Sequence, residues 1–338
     1  MIRPVSRLSA LLLTVTACPL GAQQLHLHNF ADLRFQTAAT DADHASFTLG
    51  QYDMHVTAQL PNHVSFLSEV VFESADGEFG VDVERLIATW TPNPRLSLAI
   101  GKHHTPFGYW NNAFHHGELI QPTIDRPLLY DFEDDGGPLP IHTVGLQASG
   151  RDLTSLHLGF DALLGNGIGS DPTQDNDDHK SATLSLYSQL TSRLRVGGSA
   201  HLDRVSAGVL NLAGGTVTVP IDVRMLGGYL AFTGSSLELI GEFQWIQHDD
   251  DTSPARTTWG YVGYAGYRLG NVVPYVRYDR IDYPTSDPWF VPLDWWSGGV
   301  GLRYDLGANA VVKLEGRRSS LQGDKERNQF VAQFAVGF

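Results

Sequence analysis

The chain has 338 residues, with 23 basic and 37 acidic side chains, 42% hydrophobic residues, 35 glycines and one cysteine. So acidic a balance excludes a nucleic-acid partner held by phosphate contacts, and a single cysteine excludes a disulfide-stapled fold. Beyond residue 22 there is no run of eighteen apolar residues, so no transmembrane helix is written here, whereas a barrel that shows lipid only every second residue is compatible.

The chain begins MIRPVSRLSALLLTVTACPLGAQQ. Arg3 and Arg7 precede an apolar stretch from Leu8 to Ala17, and Leu20-Gly21-Ala22 offers a cleavage site. Residues 1–22 therefore read as a secretory signal peptide, too short and too soon polar to span a membrane. Val15-Thr16-Ala17-Cys18 also resembles a lipobox that would leave Cys18 acylated; the strand pattern that starts directly after Ala22 favours cleavage there. The leader holds two basic and no acidic residues, so its removal leaves 316 residues, a formal charge of −16 and no cysteine.

From residue 25 onward a two-residue period recurs, and a strand sets successive side chains on opposite faces. Such segments fall near 25–36, 45–60, 63–74, 79–91, 94–103, 142–150, 153–165, 180–191, 193–204, 222–233, 235–248, 257–269, 271–282, 294–305, 309–319 and 326–338. In 95–101, Leu96, Leu98 and Ile100 share one face while Ser97, Ala99 and Gly101 share the other. Ordinary soluble strands average about 5–6 residues, whereas crossing a bilayer takes about 9–11; these sixteen segments are of the longer kind.

The links alternate in length. Tight ones sit at Pro61-Asn62, Pro92-Asn93-Pro94, Gly150-Arg151-Asp152, Thr191-Ser192, Gly234-Ser235, Gly270-Asn271 and Gly307-Ala308, with φ preset by proline or free to turn positive at glycine and asparagine. Longer polar links lie near 37–44, 75–78, 104–141, 166–179, 205–221, 249–256, 283–293 and 320–325. Short turns on one side and long loops on the other are the rhythm of an up-and-down outer-membrane barrel. Residues 23–338 are therefore expected to form an all-β, antiparallel transmembrane barrel of about 16 strands. The last segment ends on Phe338 with Phe330, Phe334 and Val336 on the same face, as many such barrels end. Trp90, Trp245, Trp259, Tyr261, Tyr283, Trp289, Phe290, Trp295, Trp296 and Tyr304 cluster at segment ends, the expected place for aromatic girdles.

Charges on the lipid face cost about 2–4 kcal/mol at the bilayer midplane, so the charged side of each segment is assigned to the lumen. This places Arg34, Glu69, Glu73, Glu238, Glu242, Arg277, Arg303, Lys313 and Arg317 on an inner wall. Arg34, Arg277, Arg303, Lys313 and Arg317 would neighbour one another once the barrel closes. The one long stretch without alternation, 104–141, carries Glu118, Asp125, Asp131, Glu133, Asp134 and Asp135. Folded inward as a constriction loop, it would set acidic groups against that basic wall across a narrow aqueous gap, a field that filters solutes by charge.

GKHHTPFGYW (101–110), QPTIDRP (121–127) and DGGPLPIHTVG (135–145) resemble the porin O/porin P family, the phosphate-selective porins. The resemblance implies a sixteen-stranded trimeric porin whose third loop, between strands five and six, folds into the pore. The count of segments puts 104–141 at that place independently. The family's phosphate selectivity rests on a ladder of arginines and lysines that no segment here repeats, although Arg126 in the IDRP stretch, with Arg34, Arg277 and Arg303, could meet an anion.

Fourteen histidines are many, and His103-His104, His115-His116 and His142 flank the same loop. Adjacent histidines on a strand point to opposite faces, so each pair offers at most one imidazole to a shared ion. They are read as polar pore or loop residues, and no metal ligand set or cofactor is assigned. The acidic runs 171–178 and 249–251 lack the spacing of an EF-hand loop, and no GxSxG, HExxH or GxxxxGK occurs, so no enzyme is expected. The expectation is a bacterial outer-membrane porin, passing small polar solutes or ions, with lipid and lipopolysaccharide around it. The alternative is a binding or adhesion barrel with a plugged lumen.

Overall fold

The computed structural model describes residues 24–338 apart from 39–43, 76–77, 115–117, 133–136, 170–173, 212–213, 253, 285, 291–293 and 321–325. The expected signal peptide, with Cys18, lies outside the described residues. Sixteen strands follow in chain order: β1 (Gln24–Gln36), β2 (Ser46–Leu60), β3 (Val64–Ala75), β4 (Glu78–Asn93), β5 (Leu96–His104), β6 (His142–Gly150), β7 (Leu158–Asn166), β8 (Lys180–Thr191), β9 (Leu194–Val205), β10 (Ile221–Thr233), β11 (Leu237–Asp249), β12 (Arg256–Tyr267), β13 (Val272–Asp282), β14 (Asp294–Asp305), β15 (Ala310–Ser320) and β16 (Arg327–Gly337). Each pairs antiparallel with its neighbours in sequence, and β1 pairs with β16, so the sheet closes on itself. Closure leaves no edge and satisfies the ladder's backbone groups within the sheet.

The sequence period sets the two faces. Leu25, Leu27, Leu98, Ile100, Leu184, Leu186, Val300 and Leu302 are all exposed on the outside, while Asp32, Glu69, Glu242, Arg277, Arg303 and Lys313 are buried on the inside. Trp90, Trp259, Tyr261 and Tyr304 join the exposed outer face as expected. Tyr283, Trp289, Phe290 and Trp295 do not. They are buried together in a cluster with loop and inner-wall residues, and the His248 ring lies against Phe290, tilted by 41° at 4.7 Å. The link after β13 folds back on itself, with Asp287 accepting from the backbone N–H of Trp289 and Phe290 at 2.8 Å each and pairing with His248 at 2.9 Å.

One boundary and one ladder register depart from the periodic reading. β7 starts at Leu158 and not near 153. Asp152 (φ 52°) and His157 (φ 51°) take left-handed backbone, and Leu153 N–H donates to Leu158 O. The 153–157 stretch is therefore a turn whose leucines only imitate a strand. In β4, Glu69 pairs with Arg85 but Val70 pairs with Val83, so Glu84 is an extra residue in the ladder. This bulge moves the outward set from Val81 and Val83 to Leu86 and Trp90.

The adjacent β5 carries Gly101 at φ +146°, where a Cβ would stand 1.8 Å from Leu86 O. Only glycine fits. Gly101→Ala is expected to destabilise the barrel by about 1–3 kcal/mol, the cost of a strained backbone position, as read by urea titration in lipid vesicles. Gly241→Ala, with nothing within 4 Å of its added Cβ, is expected to leave the midpoint where it is.

Candidate functional site

The segment between β5 and β6 packs against the inner face of the barrel. Gly108 starts it with φ +72°, and a Cβ there would sit 1.8 Å from Tyr130 Oη. That turn aims the backbone N–H groups of Tyr109 and Trp110, at the head of the short helix α1 (Trp110–Phe114), at the Glu242 carboxylate; each donates at 2.7 Å. Tyr130 Oη donates to the same carboxylate at 2.6 Å. One side chain of β11 thus fastens two points of the segment.

Inside the segment, Trp110 Nε1 donates to Gln121 Oε1 (3.1 Å), Gln121 Nε2 to Ile124 O (3.0 Å) and Arg126 Nη2 to Asn111 Oδ1 (2.9 Å). Phe107, Trp110, Leu129, Tyr130, Leu139 and Ile141 are wholly buried, packed with Val223, Met225, Ile246 and Ile281 of the wall. The periodic reading expected a wet, charged interior. Over β10 to β13 it is instead partly apolar, because the loop covers it.

Charged groups dock the far part. Arg277 Nη1 donates to Thr123 Oγ1 (3.1 Å) and Asp125 O (2.5 Å), and Leu128 N–H donates to Asp279 Oδ2 (3.2 Å). Lys313 Nζ donates to Glu118 O (2.5 Å) and Thr123 O (2.9 Å). Asp125 pairs with Arg34 at 2.7 Å and with Arg317, while Glu118 pairs with Arg34 at 3.2 Å and accepts from Gln333 Nε2 at 2.7 Å. The gap expected between acidic loop and basic wall is therefore closed at these residues. Arg303 takes no part, being held by Glu238 (2.8 Å) and Asp305 (3.1 Å) of the wall.

Arg126, Asp131 and Glu73 line a cavity of about 750 Å³ together with Arg34, Asp125 and Arg317. Gln36, Thr48, Ser319 and Arg327 also line it, so it lies at the long-link end of the barrel. His104 and His142 meet with ring centroids 5.5 Å apart, and His103 is buried. His115, His116, Glu133, Asp134 and Asp135 lie outside the described residues.

Six charged or titratable groups of the opposite wall escaped the periodic reading. Asp53, His55, Glu84 and Arg85 join Glu69, His104 and His142 there, with His55 Nε2 at 2.9 Å from Asp53 and 3.0 Å from Glu69, and His142 at 2.5 Å from Glu84. Lys102 reaches Asp82 at 3.6 Å. The signal for Glu84 and Arg85 was present: the apolar set changes from odd to even numbers between Val83 and Leu86, which requires an extra residue.

No family model matches the chain, and no curated protein sequence matches it. Solved structures share its architecture. An anion-selective porin from Comamonas acidovorans is 12% identical, with 94% of this chain and 100% of that chain covered and a TM-score of 0.66. OmpT of Vibrio cholerae, expressed in the outer membrane, is 13% identical, with coverage of 95% and 99% and a TM-score of 0.65. The outer membrane channel DcaP of Acinetobacter baumannii is 10% identical, with coverage of 94% and 97% and a TM-score of 0.62. At such identities the likeness is one of fold, that of the porin barrel.

The two docking carboxylates respond differently to pH. Burial pushes the Glu118 carboxyl above its ordinary 4.5, despite Arg34 and Lys313. Burial would raise Asp125 too, but Arg317 and Arg34 outweigh it and hold the group below its ordinary 3.8. A lowered carboxyl stabilises docking above the unfolded value and loses that contribution only as pH falls through the folded one. Asp125 therefore keeps its hold from neutral pH down to about 4. Asp125→Asn is expected to speed amide hydrogen exchange in 118–132 at neutral pH by at least about tenfold, the equivalent of one charge-assisted hydrogen bond. Glu118→Gln, which removes a charge that burial disfavours, is expected not to loosen the segment.

Proposed function

We propose that this chain is a passive porin of a bacterial outer membrane, through which small polar or charged solutes diffuse along a water-filled path narrowed by residues 104–141. The observation that carries the reading is the docked segment: it packs beside β9 to β13 yet leaves a polar cavity between itself and the wall from β14 through β16 and β1 to β3. The exposed Leu, Ile and Val of the outer face would meet hydrocarbon, with lipopolysaccharide at the long-loop side. Residues 1–22 would serve as the export signal and be removed. No catalytic step belongs to this reading.

The family resemblance in 101–145 and the shared barrel both support a porin, and a neighbour described in a trimer form makes a homotrimer the assembly to look for. Phosphate selectivity is not part of the proposal. Arg34, Arg303 and Arg317 are engaged by carboxylates of the same chain, which removes the unpaired positive ladder an anion would need. The cavity's lining, five arginines against four carboxylates, is close to balanced.

A second reading has one observation in its favour. The apolar packing of the segment against β10 to β13 is that of a plug, as in a binding or adhesion barrel. Planar bilayers separate the two. As a porin, the wild-type protein gives conductance steps with a reversal potential near zero in a salt gradient, and deletion of 110–135 raises the conductance. A wild type that is silent and conducts only after that deletion would instead make the barrel a plugged one.

A further inference from the structure

The inner face of β2 and β3 carries a second constellation. The D-x-H spacing in β2 puts Asp53 and His55 on one face, and the strand register sets His55 directly opposite Glu69 of β3. His55 Nε2 lies 2.9 Å from Asp53 Oδ2 and 3.0 Å from Glu69 Oε1, and one donor atom from each of the three lies within 4.8 Å of the others. Nitrogen and oxygen ligands sit about 2.0–2.2 Å from zinc, so neighbouring donors of a tetrahedral sphere stand about 3.3–3.6 Å apart. The two edges at 2.9 and 3.0 Å need to open by only about half an ångström to meet it.

The surroundings suit an ion. Asp53 and Glu69 are buried, each with 1% of the side chain exposed, while His55 keeps 19% and gives access from the lumen. Phe30 meets the imidazole edge-on at 5.3 Å and limits its rotation. His104 Nε2 stands 3.7 Å from Glu69 Oε2, close enough to supply a further donor. Arg85 holds Oε2 of Glu69, which leaves Oε1 on the His55 side. Rigid ladder pairing fixes all of these relative to one another.

We propose that Asp53, His55 and Glu69 bind one divalent transition-metal cation in the barrel wall, with His104 as an adjacent donor. An imidazole with two carboxylates is a donor set that suits zinc and its neighbours. The two carboxylates, one of them already paired with Arg85, supply the negative charge that attracts the ion. Binding needs the Nε2 lone pair of a neutral imidazole, so protons compete with the metal. The site is separate from the loop contact, and its occupancy is read without reference to conduction.

The test uses the full folded barrel in detergent and zinc alone as the probe, with binding followed by calorimetry and the cobalt-substituted form by its visible spectrum. One ion per chain is expected, with weaker binding under acid conditions. Asp53→Asn and His55→Gln are each expected to weaken it by at least about tenfold, since even outer-sphere partners of a metal are worth about 10–100-fold. His157→Asn, in the turn before β7, serves as the control and keeps wild-type affinity. Folding of each variant is checked by heat-modifiable gel migration; should His55→Gln fail to fold, Asp53→Asn decides. Absence of stoichiometric uptake, or uptake that Asp53→Asn leaves unchanged, overturns the proposal.

Discussion

In hydrocarbon an unpartnered backbone N–H or C=O costs several kcal/mol, and no water is present to relieve it. Closing β1 onto β16 answers that cost at every strand at once. Once the sheet is closed, each strand has one face towards lipid and one towards the lumen, and every side chain is committed to one of them. The exposed leucines and the buried carboxylates are consequences of the same closure. Even the irregularities obey it. The extra residue at Glu84 lets Val83 and Leu86 both face outward although they differ in parity, and it brings Glu84 and Arg85 to the inner side together.

The interior is then a question of what the loop leaves open. Glu242 accepts three donors from the loop, and Asp279, Arg277, Lys313, Arg317 and Arg34 extend the attachment across five further strand positions. Such buried or half-buried pairs add little net stability when intact, but leaving one partner alone is costly. They act as register marks that hold a particular loop geometry, while the burial of Trp110, Leu129 and Tyr130 against the wall supplies the apolar driving force.

Strand positions were legible in the sequence because the two-residue period is a local signal. It returned all sixteen segments and the loop between the fifth and sixth. It failed where a local pattern had two explanations. Leu156 continues the alternation of Leu158 but lies in a turn with left-handed residues at both ends. Tyr283, Trp289, Phe290 and Trp295 sit at segment ends like girdle residues but are buried under an inward-folded link. Which wall residue meets which loop residue was beyond reach. Glu242 and Trp110 are separated by 132 positions, and no period connects them. The basic wall was identified from alternation alone, but the outcome that its charges neutralise the loop, and do not face it across water, follows only from the depth of docking.

Depth of docking also decides how the inner charges divide. Arg34 and Arg317 are used up on Asp125, and Arg303 on Glu238. On β2 to β6 the ion pairs seen among the described residues run within the wall: His55 with Asp53 and Glu69, Arg85 with Glu69, His142 with Glu84. A wall built in this way presents compact, internally neutralised clusters to the lumen and no continuous strip of one sign. In the proposed porin a neutral solute moving along it would meet dipoles and paired charges in turn, which attract weakly and release readily.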